Sequence, residues 1–171
     1  CAEYIDHINI LINAVTGAGK TEMVLNVIEK CLKERKRCCF AIARRQVVLQ
    51  IRERLALIFP FIKVTAICEG YTQDLVGDIL VVTTHQLYRF YKEFDVLILD
   101  EPDAFPFKGN ETLHGIAKTA CKGHILYLTA TPDREIIKEV SLSNCIEFKL
   151  LKRPHGYPLP IPTVIVAPKF I

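Results

Sequence analysis

Three short groups of residues, far apart in the chain, have types and spacings that could act on a phosphorylated ligand. The first is AVTGAGKTEM, Ala14 to Met23, which follows an apolar run and precedes a helical pattern. Gly17 and Gly19 permit close backbone approach, and successive N–H groups from Thr16 through Ala18 to Gly19 can cradle phosphate oxygens where a helix begins. Lys20 would reach the β and γ phosphates, and the Thr21 hydroxyl would ligate Mg²⁺. The stretch fits a P-loop whose first glycine is replaced by Ala14. The plainer alternative is a glycine-rich turn that happens to end in Lys-Thr. An apolar strand before it and a helix after it favour the nucleotide.

The second group ends the string DVLILDEPD, residues 95–103. Asp100 would hold Mg²⁺ through water, and Glu101 would orient and deprotonate an attacking water. Adjacent carboxylates also occur in ordinary exposed turns, but a P-loop upstream gives this pair a phosphoryl group to work on. The third group is LTATPD, with Thr129 and Thr131 at another strand end. Together the first two groups point to a nucleotide and Mg²⁺ as the ligands, with Lys20, Asp100 and Glu101 as the catalytic set.

Positioning these groups requires strands that end in loops on one side. Apolar, β-branched or aromatic runs fall at 8–14, 37–43, 62–67, 78–84, 95–100, 124–130 and 145–151. Amphipathic stretches at 21–35, 45–58, 85–92, 110–121 and 133–140 alternate with them. Near-continuous apolar runs suit parallel strands covered on both faces, and the alternation predicts an α/β fold with right-handed crossovers. Ligands in such sheets bind beyond the carboxyl ends of the strands, where all three groups fall. From Lys152 the chain becomes proline-rich, KRPHGYPLPIPTVIVAPKFI, and reads as an extended connector.

Composition excludes less than it permits. The chain has 171 residues, half of them hydrophobic, which suits one domain with a sizeable core. A net charge of +3 announces no basic tail or face, although a few placed Arg and Lys suffice for a phosphate backbone. Seven cysteines lack CxxC or Cys/His metal spacing and read as reduced, buried thiols of a cytosolic protein. Cys38 and Cys39 are strand neighbours, so they point to opposite faces and do not bridge. No segment approaches the roughly 18–20 apolar residues of a transmembrane helix, and no leader peptide is visible.

The tetrad Asp100-Glu101-Pro102-Asp103 resembles motif II of superfamily 2 helicases and translocases, and Thr129-Ala130-Thr131 resembles their motif III. The resemblance implies a P-loop NTPase domain of RecA-like fold, a mostly parallel sheet with helices on both faces. Thr129 and Thr131 would then couple hydrolysis to movement on nucleic acid. The string TTHQLYRFYKEFDVLILDEPDAFPF, 83–107, narrows the likeness to the ComFA family of late-competence ATPases, as do the loop AVTGAGKTEM and the segment RPHGYPLPIP. This likeness runs from about Ile10 to Pro162. It implies an ATP-driven translocase that draws single-stranded DNA into the cytoplasm, where the protein would reside, free or at the inner face of the membrane beside competence channel proteins.

In the same alignment ARRQVVLQ, 43–50, takes the place of motif Ia, whose polar residues contact the DNA backbone. Arg44 is the first choice for that contact and Arg45 the second; Thr84, with Thr83 and His85, would line the same groove. A solvated helix start is the plainer reading of the arginine pair. The run KCLKERKR, 30–37, reads as the exposed end of a helix rather than a DNA patch. Tyr88, Phe90, Tyr91 and Phe94 read as core or the underside of a helix. A superfamily 2 motor needs two RecA-like domains. Residues 1–151 are expected to form the first, and 152–171 to lead towards a second domain that would supply arginines. Rival readings are a repair or replication-restart helicase, an RNA helicase, and a nucleotide-switch binding module.

Overall fold

A computed structural model describes residues 1–15 and 19–150. The P-loop residues Thr16, Gly17 and Ala18, the Thr21 side chain and the connector 152–171 lie outside the described part. Seven strands form one sheet: β1 (Asn9–Ala14), β2 (Cys38–Ile42), β3 (Val64–Ile67), β4 (Ile79–Thr83), β5 (Phe94–Asp100), β6 (Cys121–Thr129) and β7 (Cys145–Leu150). Their order is β3-β4-β2-β5-β6-β1-β7, and every neighbouring pair is parallel.

Because strand side chains alternate between faces, each strand feeds two cores. Ile10, Ile12, Phe40, Ile98 and Leu128 pack with Val24 and Ile28 of α1 (Lys20–Lys33) and with Val48 and Leu55 of α2 (Arg45–Ile58). Leu11, Ala41, Leu97, Leu99 and Tyr127 face the other way, onto Leu113 and Ala117 of α3 (Glu111–Ala120) and Ile136 of α4 (Arg134–Ser141). The expected two-sided covering is therefore present. It explains why the strands read as unbroken apolar runs, each large side chain contributing about 1.5–3 kcal/mol of burial. Cys38 and Cys39 fall in opposite cores, as their adjacency requires, and all seven cysteines are free thiols.

Two elements differ from the sequence expectation. The segment 85–92 forms a short 3₁₀ helix (Thr84–Arg89), after which Phe90 returns to extended backbone and packs its ring on Phe94 at 4.9 Å. Strand β6 begins at Cys121, three residues before the apolar run, because Gly123 lets the chain pass hard against β5. A Cβ at Gly123 would stand 2.0 Å from the Asp95 carbonyl oxygen. The pairing of β5 with β6 slips at this point, between Phe94 and Val96.

Register then sets the functional edge. Asp100 lies opposite both Ile42 and Leu128, and Asn13 lies opposite Thr129. The loops that leave β1, β2, β5 and β6 thus open on the same side of the sheet. Among the described residues no helix is long and apolar enough to cross a membrane.

Candidate functional site

The amino end of α1 is open to an anion. Its N-cap is Gly19, in left-handed backbone (φ 74°, ψ 38°), which has no side chain to cap the helix, although the Glu22 carboxylate of the first turn accepts from its own amide. A residue with a Cβ would be strained there, which accounts for glycine at this position. Asn110 caps α3, accepting from the Leu113 amide at 3.1 Å, and Asp133 caps α4, accepting from the Ile136 amide at 3.0 Å, whereas α2, like α1, has no side-chain cap from its N-cap residue. Lys20 occupies the first turn of α1.

Across from it, β5 delivers two carboxylates. Burial, reinforced by the neighbouring charges of Glu101 and Asp103, pushes the Asp100 carboxyl up from 3.8 to about 6, against the pull of Lys20. A half-buried carboxylate under the pull of one lysine, with a helix start on the same edge of the sheet, is a surrounding that suits a hard divalent cation with phosphate oxygens. The residues present fit Mg²⁺ and a nucleotide. Glu101 is exposed and takes up left-handed backbone at φ 51°, a strain of about 1–3 kcal/mol in a residue with a Cβ. Its amide donates to the Leu128 carbonyl at 2.9 Å, and its own carbonyl accepts from the Ala104 amide at 3.0 Å. These two bonds hold the reversal that ends β5 and leaves the Glu101 side chain facing solvent.

The fourth member of the tetrad ties this turn to the next strand end. The Asp103 carboxylate accepts hydrogen bonds from the hydroxyls of both Thr129 and Thr131, and the Thr131 amide donates to the Thr129 hydroxyl at 3.0 Å. Thr129 is fully buried. The sequence singled out the two threonines; their acceptor was only one letter of a tetrad. A second tie had no sequence signal at all. His114 Nε2 of α3 lies 2.9 Å from Asp133 Oδ2, with the two side chains 8% and 7% exposed, and the imidazole meets the Phe107 ring edge-on at 4.4 Å. It fastens the turn after β5 against the turn after β6. Between them Phe105 stands 91% exposed.

On the other half of the edge the sequence-predicted groove residues separate. Arg44 is exposed at the N-cap of α2 and has no hydrogen bond or ion pair from its side chain among the described residues. Arg45 is engaged: its Nε donates to the Glu69 carbonyl at 2.9 Å, and its guanidinium lies over the Tyr71 ring at 5.9 Å. Thr84 is 2% exposed, and its hydroxyl and that of Thr83 have no hydrogen-bond partner. Packing of the 3₁₀ helix leaves Thr84 no face for a polymer, whereas His85 is exposed.

The basic run 30–37 is a helix end whose charges are mostly paired, Arg35 being the exception among the described residues. Lys30 and Lys36 pair with Asp6, Lys33 with Glu29, and Arg37 with Glu93. Of the aromatics, Phe94 is core and Phe90 half-buried, but Tyr88 and Tyr91 are exposed, contrary to expectation. The chain segment turns over at Phe90 and presents both tyrosines to solvent.

A helix start after β1, a carboxylate pair after β5 and a hydroxyl pair after β6, all on one parallel sheet, define a helicase-like RecA domain. The same fold occurs in the UvsW helicase of bacteriophage T4, with a TM-score of 0.65 at 14% identity over 83% of this chain and 54% of that one. It occurs again in the Sulfolobus solfataricus SWI2/SNF2 ATPase core, solved in complex with dsDNA, with a TM-score of 0.61 at 15% identity over 86% of this chain and 42% of that one.

The chain belongs to the family described as Type III restriction enzyme, res subunit, whose pattern matches residues 3–134. It is similar to Competence protein ComFA of Streptococcus pneumoniae, 41% identical over 158 residues that make up 91% of this chain and 36% of that protein. The ComFA of Bacillus subtilis is 36% identical over 159 residues, again 91% of this chain and 34% of that protein. The chain thus spans about a third of the length of the curated relatives it matches.

Proposed function

We propose that this chain is the first, ATP-binding RecA-like domain of a DNA translocase that moves single-stranded DNA during natural competence. The observation that carries the reading is the hydrogen-bonded bridge from Asp103 to Thr129 and Thr131. It joins the carboxylate turn that would sense the nucleotide to a second loop on the same edge, an arrangement with a use in a motor. The competence assignment leans on the two relatives named as competence proteins. A second RecA-like domain and a membrane-side location beside channel proteins follow from the same likeness.

In this reading the free amides of the P-loop and the first turn of α1 would bind the phosphates, with Lys20 on the β and γ groups. Thr21 and Asp100 would hold Mg²⁺, which when bound neutralises charge on the phosphoryl oxygens. The Asp100 carboxyl, although raised, would be mostly ionised at neutral pH and so available as a donor. Glu101, exposed at the reversal, would align a water and accept its proton. Asp103 would carry the change at that turn to Thr129 and Thr131. Arg44 would contact the DNA backbone. Arginines from a second domain are worth roughly 10³–10⁵ in turnover, so the 171-residue chain alone should bind Mg-ATP and hydrolyse it slowly.

The experiment compares Lys20→Ala and Glu101→Gln in the full-length protein, by nucleotide binding and by phosphate release. Lys20→Ala should lose nucleotide affinity, whereas Glu101→Gln should retain it and lose turnover. Unchanged affinity in the first variant, or near-normal turnover in the second, contradicts the assignment of that residue.

A further inference from the structure

We infer that Tyr71 is a stacking platform for a base of single-stranded nucleic acid, held in position by Arg45 and Arg89. The inference rests on the proposed translocase reading and adds to it a residue that reads bases by their faces, beyond the backbone contact proposed for Arg44.

Tyr71 lies just past β3, on the edge of the sheet that also carries the starts of α2 and of the 3₁₀ helix after β4. Its ring is 51% exposed although nothing in the chain requires an aromatic side chain at that point. The backbone that carries it is fastened on several sides. Cys68 and Tyr71 exchange both amide bonds, at 3.1 and 2.8 Å, in an isolated antiparallel bridge. Arg45 reaches the Glu69 carbonyl from α2, and Arg89 reaches the Thr72 carbonyl at 3.0 Å from the 3₁₀ helix. Further along, Asp74 pairs with Lys63 at 2.8 Å and accepts from the Val76 amide at 3.0 Å. A residue presented on a turn with this many ties loses little freedom when it meets a ligand.

The chemistry around the ring selects the ligand class. The Arg45 guanidinium lies over the ring, its carbon 5.9 Å from the centroid. Arg45 and Arg89 are both exposed, and each bond to a carbonyl uses only part of a five-donor guanidinium, so N–H groups remain for phosphate oxygens. Glu69 is the acidic neighbour in the turn, and the charge of Asp74 is offset by Lys63. Beside the ring a groove of about 890 Å³ opens between α2 and the 70–74 turn, lined by apolar Leu49, Ile62 and Val64 and by charged Arg52, Glu53 and Lys63. An exposed aromatic ring with Arg45 over it and Arg89 anchoring its turn fits a flat base on a phosphate backbone.

Stacking and phosphate contact differ in their salt dependence, and the test uses that difference. Anisotropy of a labelled oligothymidine is measured with the full-length protein across a series of salt concentrations. Tyr71→Ala and Tyr71→Leu should weaken binding roughly 5- to 150-fold at every salt concentration, leaving the slope of log K against log salt unchanged. Tyr71→Phe should bind within about twofold of the wild type, since it keeps the π face. Arg44→Ala, in contrast, should make the slope shallower by about 0.7. Binding by Tyr71→Ala and Tyr71→Leu within twofold of the wild type overturns the inference while leaving the translocase reading in place; a protein partner for this ring would give that result. No binding of single strands by the wild type overturns both.

Discussion

Replacing Thr129 with valine tests the link between the carboxylate turn and the following strand end. The side chain is fully buried at the end of β6, donates to Asp103 and accepts from the Thr131 amide. Valine keeps the shape and deletes the hydroxyl, so the loss is the hydrogen bonds rather than packing. A bond to a charged acceptor contributes about 1.5–3 kcal/mol. Asp103 retains the Thr131 hydroxyl and is partly open to water, and Thr131 is exposed, so both orphaned groups recover some of the loss. We therefore expect about 2 kcal/mol of destabilisation for Thr129→Val and less than about 1 kcal/mol for Thr131→Val. Urea unfolding of the 171-residue chain measures both, as a lower midpoint at unchanged slope. In an Asp103→Ala background the cost of Thr129→Val should shrink to about 0.5 kcal/mol or less, because the acceptor is gone. Full additivity of the two substitutions, or an equal cost at Thr129 and Thr131, would refute the reasoning.

Gly123→Ala should be severe, since the added carbon would meet the Asp95 carbonyl oxygen at 2.0 Å in the middle of the sheet. The expected cost is about 3 kcal/mol or more, or failure to fold, and a variant melting within a few degrees of the wild type would count against the close approach of β5 and β6. Asp6 gives a pH test: hydrogen bonds from Lys30 and then Lys36 hold its carboxyl down, from 3.8 to about 2. A lowered folded value stabilises the fold above the unfolded value, and the contribution disappears as pH falls from about 4 towards 2. Asp6→Asn should cost about 1 kcal/mol at neutral pH after allowance for solvent screening, with the gap to wild type closing in that acid range. A gap independent of pH would remove the charge from the explanation.

The strands were legible because burial on both faces writes each as an unbroken apolar run. The less legible features come from contacts between distant segments. Asp103 and Thr129 are 26 residues apart, and only the sheet register, with Asp100 opposite Leu128, brings their loops together. Nothing near His114 in sequence announces Asp133. Thr84 reads as an exposed polar residue after a strand, yet the 3₁₀ helix folds it under. Arg45 reads as a free cation at a helix start until the turn after β3 is in place beneath it. The early start of β6 shows the same limit from the other side: Gly123 weakens a strand pattern, and its reason is a carbonyl on a neighbouring strand.

In the proposed function a nucleotide site at the carboxyl edge of this sheet serves movement on single-stranded DNA. The most direct test of that claim is ATP turnover by the full-length protein at one fixed salt concentration, alone and with single-stranded DNA or RNA. A rise of at least tenfold with DNA, lost in Glu101→Gln, is the expected result. Tight Mg-ATP binding with turnover indifferent to DNA would contradict the claim and leave a nucleotide-operated switch, and stimulation by RNA alone would move the protein to a different polymer.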